Sequence, residues 1–128
     1  MATITEQDHA HKMDFLRILQ LEIYRKSQPI YAQFDEFRCE FGCSPSTCLD
    51  IFHYITGKFI RGEIEHDELS IQDFRKIHIL YALRLMWTYE GERRLAKMFA
   101  TSRTNFKKWS VFVIYQIYTM SFLVVSHI

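Results

Sequence analysis

A cluster of basic and polar residues between positions 93 and 108 has the clearest chemical potential in this chain. Its members are Arg93, Arg94, Lys97, Ser102, Arg103, Thr104, Asn105, Lys107 and Lys108. Lysine and arginine bind DNA phosphates, whereas arginine and asparagine can also form paired hydrogen bonds with guanine and adenine edges in a major groove. We therefore predict base contacts for Arg103 and Asn105. Phosphate contacts are predicted for Arg93, Arg94, Lys97, Lys107 and Lys108.

The distribution of charge favours this interpretation, although the net charge of the chain is only +1. Residues 1–70 hold 7 basic and 12 acidic side chains, a net charge of −5, whereas residues 71–128 hold 9 and 3, a net charge of +6. A basic segment of this kind is typical of a nucleic-acid-binding surface. The simpler alternative is that the same charges form only the solvated face of a helical bundle.

The second group with potential chemistry contains the three cysteines and a nearby histidine, namely Cys39, Cys43, Cys48 and His53. Zinc remains an alternative, because Cys39 and Cys43 flank a predicted helix end. Cys48 shares an apolar stripe with Ile51, however, and this is typical of a buried core thiol. We predict no metal ion, because structural zinc usually takes paired ligands on a knuckle, and no cofactor. We also predict no catalytic residue, because no histidine has a defensible catalytic partner. The chain is therefore expected not to be an enzyme.

Three predicted helices position the basic cluster. The first runs over residues 71–87, with an apolar stripe that includes Ile71, Phe74 and Trp87. A short helix follows over residues 92–99, after a break at residues 89–91. The third begins at Ser102, whose hydroxyl can cap it, and its predicted inward residues are Phe106, Trp109 and Val113. A short helix, a tight turn and a basic helix form the helix-turn-helix arrangement.

The first half of the chain repeats this pattern. Helices are predicted over residues 6–26 and 31–41, and a third runs from Ser44-Pro45 to about Thr56. The segment Phe41-Gly42-Cys43-Ser44 lies 58 residues before Phe99-Ala100-Thr101-Ser102. We therefore predict an all-α fold of two tandem three-helix, helix-turn-helix-like units. Residues 1–62 form the acidic unit, residues 63–70 an exposed acidic linker, and residues 71–128 the basic unit.

Residues 111–125 are almost wholly apolar, and Gln116 is their most polar member. The run is shorter than the roughly 20 residues that a membrane span requires, so we predict no membrane association. A helix buried in the small domain, or in a dimer or parent interface, is expected instead, and residues 122–125 are alternatively extended. If its apolar surface is exposed, this segment would self-associate or bind a protein partner.

Two segments resemble the N-terminal region of eukaryotic DDE-type transposases of the Harbinger-like group. They are Phe41-Gly42-Cys43-Ser44-Pro45 and the stretch from Ile79 to Trp109, which ends in Thr104-Asn105-Phe106-Lys107-Lys108-Trp109. The resemblance covers residues 37–118 and implies a DNA-binding recognition helix. The resemblance does not extend to the catalytic domain of that family, so it implies no catalytic carboxylates here. Ala100 replaces a usual glycine, so we expect a turn without a positive φ there, and Lys107 replaces a common arginine.

These observations predict a nuclear protein that binds double-stranded DNA. It would be a transposase-derived fragment or a domesticated accessory subunit of a nuclear DNA-acting complex. The chain lacks a recognisable secretion signal and an even number of cysteines, which favours a reducing compartment. The alternative is a helical protein–protein interaction module that docks a partner subunit through its apolar C-terminal helix.

Overall fold

A computed structural model describes residues 10, 11, 13–15, 17, 37–88 and 90–126, the last six by their backbone. Every regular element in these residues is an α-helix, so the all-α prediction is confirmed. The main helices are α1 (Pro45–Ile60), α2 (Lys76–Trp87), α3 (Glu92–Met98) and α4 (Arg103–Ser126). Residues 37–41 and the described residues of 10–17 are also helical. The rest of predicted helices 6–26 and 31–41 lies outside the described residues, as does Tyr89.

Helix α1 begins as the sequence predicts. The Ser44 hydroxyl accepts a hydrogen bond from the Thr47 N–H, and Pro45 occupies the first turn, where its missing N–H costs nothing. Cys48, Ile51 and Ile55 form its buried stripe. The helix continues one turn beyond the predicted end at Thr56, because Gly57 is tolerated inside it and the Arg61 N–H bonds to the Gly57 carbonyl.

The start of α2 differs from the prediction. The apolar period suggested a helix from Ile71, but residues 71–73 form a turn in which the Ser70 hydroxyl donates to the Asp73 carboxylate. Helix α2 starts at Lys76, where the Arg75 N–H donates to Nδ1 of His78. Phe74 therefore reaches the core from outside the helix, and Ile71 is exposed.

The segment predicted as an exposed acidic linker places one apolar side chain in the core. Glu63, Glu65, Asp67 and Glu68 are exposed as expected, but Leu69 is buried. This apolar side chain, together with Phe74, holds the connection against the helices on either side.

Helix α4 is central to the packing, and its most extensive contacts are with α2. Phe106, Trp109 and Val113 are buried, as the sequence predicts. The Tyr81 ring contacts the Phe106 ring with centroids 5.1 Å apart, and Phe59 of α1 contacts Phe112 at 5.7 Å. Residues from both predicted units thus share one core cluster. The division into two tandem units, with boundaries at residues 62 and 71, stays a prediction.

Between residues 111 and 120, only one face of α4 is buried within the chain. Phe112, Val113 and Gln116 face the core, whereas Val111, Tyr115 and Tyr118 are exposed. The backbone stays helical to Ser126, so residues 122–125 are not extended. Within the described residues, no helix combines the length and the apolar character that crossing a membrane demands.

Candidate nucleic-acid interface

A tight turn joins α3 to α4 and sets the direction of the basic helix. The Thr101 N–H bonds to the Ala96 carbonyl, and the Ala100 N–H bonds to the Lys97 carbonyl. These bonds form a Schellman motif, which requires the residue after the cap to be left-handed. Ala100 adopts φ 55° at this position. The expectation that alanine would exclude a positive φ is therefore wrong, because the two backbone bonds outweigh its steric cost.

The start of α4 is capped as predicted. The Ser102 hydroxyl accepts a hydrogen bond from the Asn105 N–H at 3.0 Å. Its counterpart, Ser44, caps α1 in the same way, and Gly42 has φ 77° where Ala100 has φ 55°. The sequence echo thus extends to the local backbone geometry of both turns.

The basic cluster lies on the outside of α3 and on the first two turns of α4. Arg93, Arg94 and Lys97 are exposed on α3, and Arg103, Thr104 and Lys107 are exposed on α4. Their ionic contacts are loose: Arg94 Nε lies 3.9 Å from Glu90, and Arg103 Nε lies 3.7 Å from Glu92. Exposed pairs of this kind contribute little stability, so these cations can exchange partners freely.

Two members of the predicted site are less accessible. Asn105 is half-buried, and its side-chain amide donates to the Thr101 hydroxyl at 2.9 Å. A base contact by Asn105 would have to replace or share this bond. Lys108 is also half-buried and lies with Nζ 5.8 Å from the centroid of the Trp109 ring. Asn105 therefore stabilises the turn, and Lys108 packs on a core ring.

An open cleft of about 940 Å³ runs along the exposed face of α4. One wall carries Arg103, Lys107 and the apolar Val111 and Tyr115; the other carries the linker from Glu63 to His66. The acidic wall could not be predicted from the sequence. The linker precedes α4 by about 40 residues, and no local sequence pattern indicates that the two face each other. Glu63 is partly neutralised by Arg61, which lies 3.0 Å away.

A neutral histidine supports the basic helix from behind. His78 of α2 stacks on Trp109 with ring centroids 4.0 Å apart. Burial, together with the nearby positive charges of Arg75 and Lys108, lowers the pKa of His78 to about 3. The imidazole is therefore uncharged at neutral pH, and its Nδ1 is free of a proton to accept from the Arg75 N–H. In the sequence, His78 falls on the apolar period of the helix predicted over residues 71–87 and has no other distinguishing feature.

The cysteines form no cluster with His53. Cys48 is buried, Cys43 is half-buried and Cys39 is exposed. Among the described residues, no group of three or more histidine, cysteine or acidic side chains is arranged to hold a metal ion.

Comparison with known proteins found no family model, no curated protein and no solved structure that matches the chain. The resemblance to Harbinger-like transposases therefore stays a prediction. The positions and charges of the described side chains are the remaining guide to function.

Proposed function

We propose that this protein binds double-stranded DNA through α3 and the first two turns of α4. The observation that carries the proposal is the exposed basic surface formed by Arg93, Arg94, Lys97, Arg103 and Lys107 around a capped helix start. Recognition helices contact bases through their N-terminal residues, and the preceding helix crosses the DNA backbone.

The side chains divide by reach and chemistry. Arg103 and Thr104 lie at the tip of α4 and are assigned to base edges, where arginine recognises guanine with two hydrogen bonds. Lys107 and the cations of α3 are assigned to phosphates, which position the protein without reading sequence. Asn105 joins the base contacts only if DNA displaces its bond to Thr101.

The proposed context is a transposase-derived fragment or a domesticated accessory subunit that acts in the nucleus. Support for it comes from the sequence resemblance over residues 37–118 and from the charge of residues 71–128. A small basic domain without its own chemistry would deliver a partner enzyme to DNA.

The direct test is fluorescence anisotropy with a labelled random duplex across a salt series. Removing one cation that binds a phosphate should reduce the slope of log K against log salt by roughly 0.9, so the slope for Lys107→Ala should be shallower by about 0.9. Arg38→Ala removes an exposed charge from the acidic half and serves as the control. Its slope should match the wild type. Equal slopes for all three proteins, or no binding at low salt, would refute the proposal.

A second candidate function is supported by the exposed apolar stripe on α4. Val111, Tyr115 and Tyr118 lie three or four residues apart and are 54%, 62% and 70% exposed. Helix positions with this spacing share one face. Such a face is typical of a protein–protein contact, and a second copy of the chain or a partner subunit could cover it.

Analytical ultracentrifugation over a range of concentrations separates the two candidates. An interaction module should self-associate or bind a partner subunit, and Tyr115→Ser/Tyr118→Ser should abolish the association without changing the circular dichroism. A monomer that binds DNA with the predicted salt dependence would leave the stripe without this role.

A further inference from the structure

Two thiols lie side by side at the start of α1. Cys43 Sγ and Cys48 Sγ are 3.8 Å apart. Cys43 immediately precedes the capping residue Ser44, and Cys48 lies in the first turn and a half of the helix. These are the two positions at which apolar side chains commonly pack to form a hydrophobic staple. Here both positions are cysteines, so the staple contains a reactive pair.

The two sulfurs are chemically different. The hydrogen bond with Cys48 lowers the pKa of Cys43, although partial burial opposes this. The same contact and the burial of Cys48 raise the pKa of Cys48. Cys43 is half-buried and lies at the positive end of a 16-residue helix, where a thiolate is favoured. Cys43 thus has the character of an attacking thiolate, and Cys48 that of the thiol that donates to it.

We propose that Cys43 and Cys48 form a reversible oxidation site that closes to an intramolecular disulfide when a hydroperoxide reaches it. The Cys43 thiolate attacks the terminal peroxide oxygen, the O–O bond breaks, and the released alkoxide or hydroxide takes up a proton. Cys48 sulfur then attacks the sulfenic sulfur of Cys43, loses its proton and displaces hydroxide, which leaves as water. Overall, two thiols are oxidised to one disulfide. One hydroperoxide is reduced to one water and one alcohol, or to two waters when the oxidant is hydrogen peroxide.

Little movement is required for closure. A disulfide bond is about 2.05 Å long, so the sulfurs must approach by roughly 1.8 Å. Cys43 belongs to a turn rather than a helix, and its exposed side is open to a small oxidant. In a reducing compartment, such bonds are usually transient and redox-sensing rather than structural.

Closure should be transmitted to Trp87. Gly42 precedes Cys43 and packs against the Trp87 ring, where an added Cβ would lie 2.6 Å from Cε3. The Trp87 indole N–H also donates to the Cys39 carbonyl at 2.9 Å. Movement of the Cys43 backbone therefore changes the environment of an indole that is half-exposed, whereas Trp109 remains in the core.

The experiment exposes the reduced, folded protein to stoichiometric hydrogen peroxide, then labels the remaining thiols with a maleimide after denaturation. The expected result is that two of the three thiols become unreactive, the unlabelled protein loses about 2 Da, and a peptide map links Cys43 to Cys48. Dithiothreitol should restore all three thiols, and tryptophan emission should follow the same cycle. Three reactive thiols after exposure, or a crosslink that involves Cys39, would overturn the proposal.

Variants separate the roles of the three thiols. Cys39→Ser should close to the disulfide as the wild type does, whereas Cys48→Ser should stop at a sulfenic acid on Cys43 that dimedone traps. If Cys48→Ser fails to fold, pulse alkylation of the wild-type protein with N-ethylmaleimide replaces it. Cys43 should then be modified at least tenfold faster than Cys48, and equal rates would overturn the assignment of the attacking thiol.

Discussion

Ala100 and Gly42 occupy matching left-handed positions, yet only one of them is the residue that such a position favours. Gly42 has φ 77° and Ala100 has φ 55°, each one residue beyond a buried phenylalanine at a helix end. A side chain in the left-handed region costs about 1–2 kcal/mol, whereas glycine adopts it without penalty. Replacing Ala100 by glycine and replacing Gly42 by alanine should therefore change the stability of the protein in opposite directions.

Ala100→Gly should stabilise the protein. The relief of strain exceeds the extra entropy that glycine gives the unfolded chain, which leaves a gain of about 0.5–1 kcal/mol. Urea denaturation followed by circular dichroism measures the change. A loss of stability would contradict the strained turn.

Gly42→Ala is the matched substitution and should destabilise the protein. Alanine at Gly42 meets the same left-handed cost and would also collide with Trp87, which an added Cβ approaches to 2.6 Å. We expect a loss of about 2 kcal/mol or more in the same assay. Repeating the substitution in Trp87→Ala should recover part of the loss, because the collision is then absent.

His78 makes stability depend on pH. Its pKa is about 3 in the folded protein against 6.5 ordinarily, so the unfolded chain takes up the proton first as the pH falls. The contribution of the neutral His78 to the free energy of unfolding is complete above pH 6.5. It is lost as the pH falls towards 3, at up to about 1.4 kcal/mol per pH unit. Between pH 6.5 and 5, the free energy of unfolding should fall by about 2 kcal/mol.

His78→Gln removes this titration and keeps an acceptor for the Arg75 N–H. The difference in unfolding free energy between pH 6.5 and 5 should be smaller in this variant by about 2 kcal/mol. Parallel pH profiles for the two proteins would show that His78 takes up its proton equally readily in the folded and unfolded states.

Among the elements, α4 combines three faces in one continuous helix. Its start is basic, its inner face packs on α2, and its exposed side carries Val111, Tyr115 and Tyr118. Gln116 is buried on the inner face, and its Oε1 accepts from Lys58 Nζ at 2.9 Å. This bond satisfies the amide oxygen and links α4 to α1.

Trp109→Ala should be strongly destabilising, because the indole is buried and contacts the rings of both His78 and Phe74. Truncating a buried aromatic side chain costs about 3–5 kcal/mol. Chemical denaturation monitored at 222 nm gives the value. Trp87→Ala is the control, since Trp87 is 56% exposed and should cost clearly less. Similar losses for both variants would contradict the placement of α4.

Across the molecule as a whole, acidic and basic segments that are separate in sequence face each other over the cleft. Glu63 and Glu65 lie opposite Arg103 and Lys107. If DNA approaches this face of α4, the acidic wall repels its phosphates over distances comparable to the Debye length. Neutralising the acidic wall therefore tests whether DNA approaches this face of α4.

Glu63→Gln/Glu65→Gln should bind DNA about two- to tenfold more tightly at low salt, because neutralising an exposed charge changes interactions by about 0.2–1 kcal/mol. The advantage should disappear at high salt. Asp50→Asn removes an exposed negative charge from α1, outside this cleft, and is the control. Unchanged affinity for the double variant would place DNA elsewhere.

Helices with strong local signals could be predicted from the sequence alone. Ser44-Pro45 and Ser102 identified two capped helix starts, and the spacing of Phe106, Trp109 and Val113 identified the buried face of α4. The basic cluster could also be located, because charge and capping depend on neighbouring residues alone. Local hydrogen bonding and periodicity act over a few residues, so they can be read directly.

Features that depend on distant contacts, or on which of several local hydrogen bonds forms, required the folded structure. Phe74 continues the apolar period of α2 but lies outside it, because the Ser70–Asp73 turn and the His78 acceptor set the helix start. Phe15 and Leu69 are buried by packing partners far away in the chain. The left-handed Ala100 arises where two backbone bonds of the turn outweigh the intrinsic preference of the residue. The neutral His78 and the acidic wall of the cleft arise where long-range packing does so.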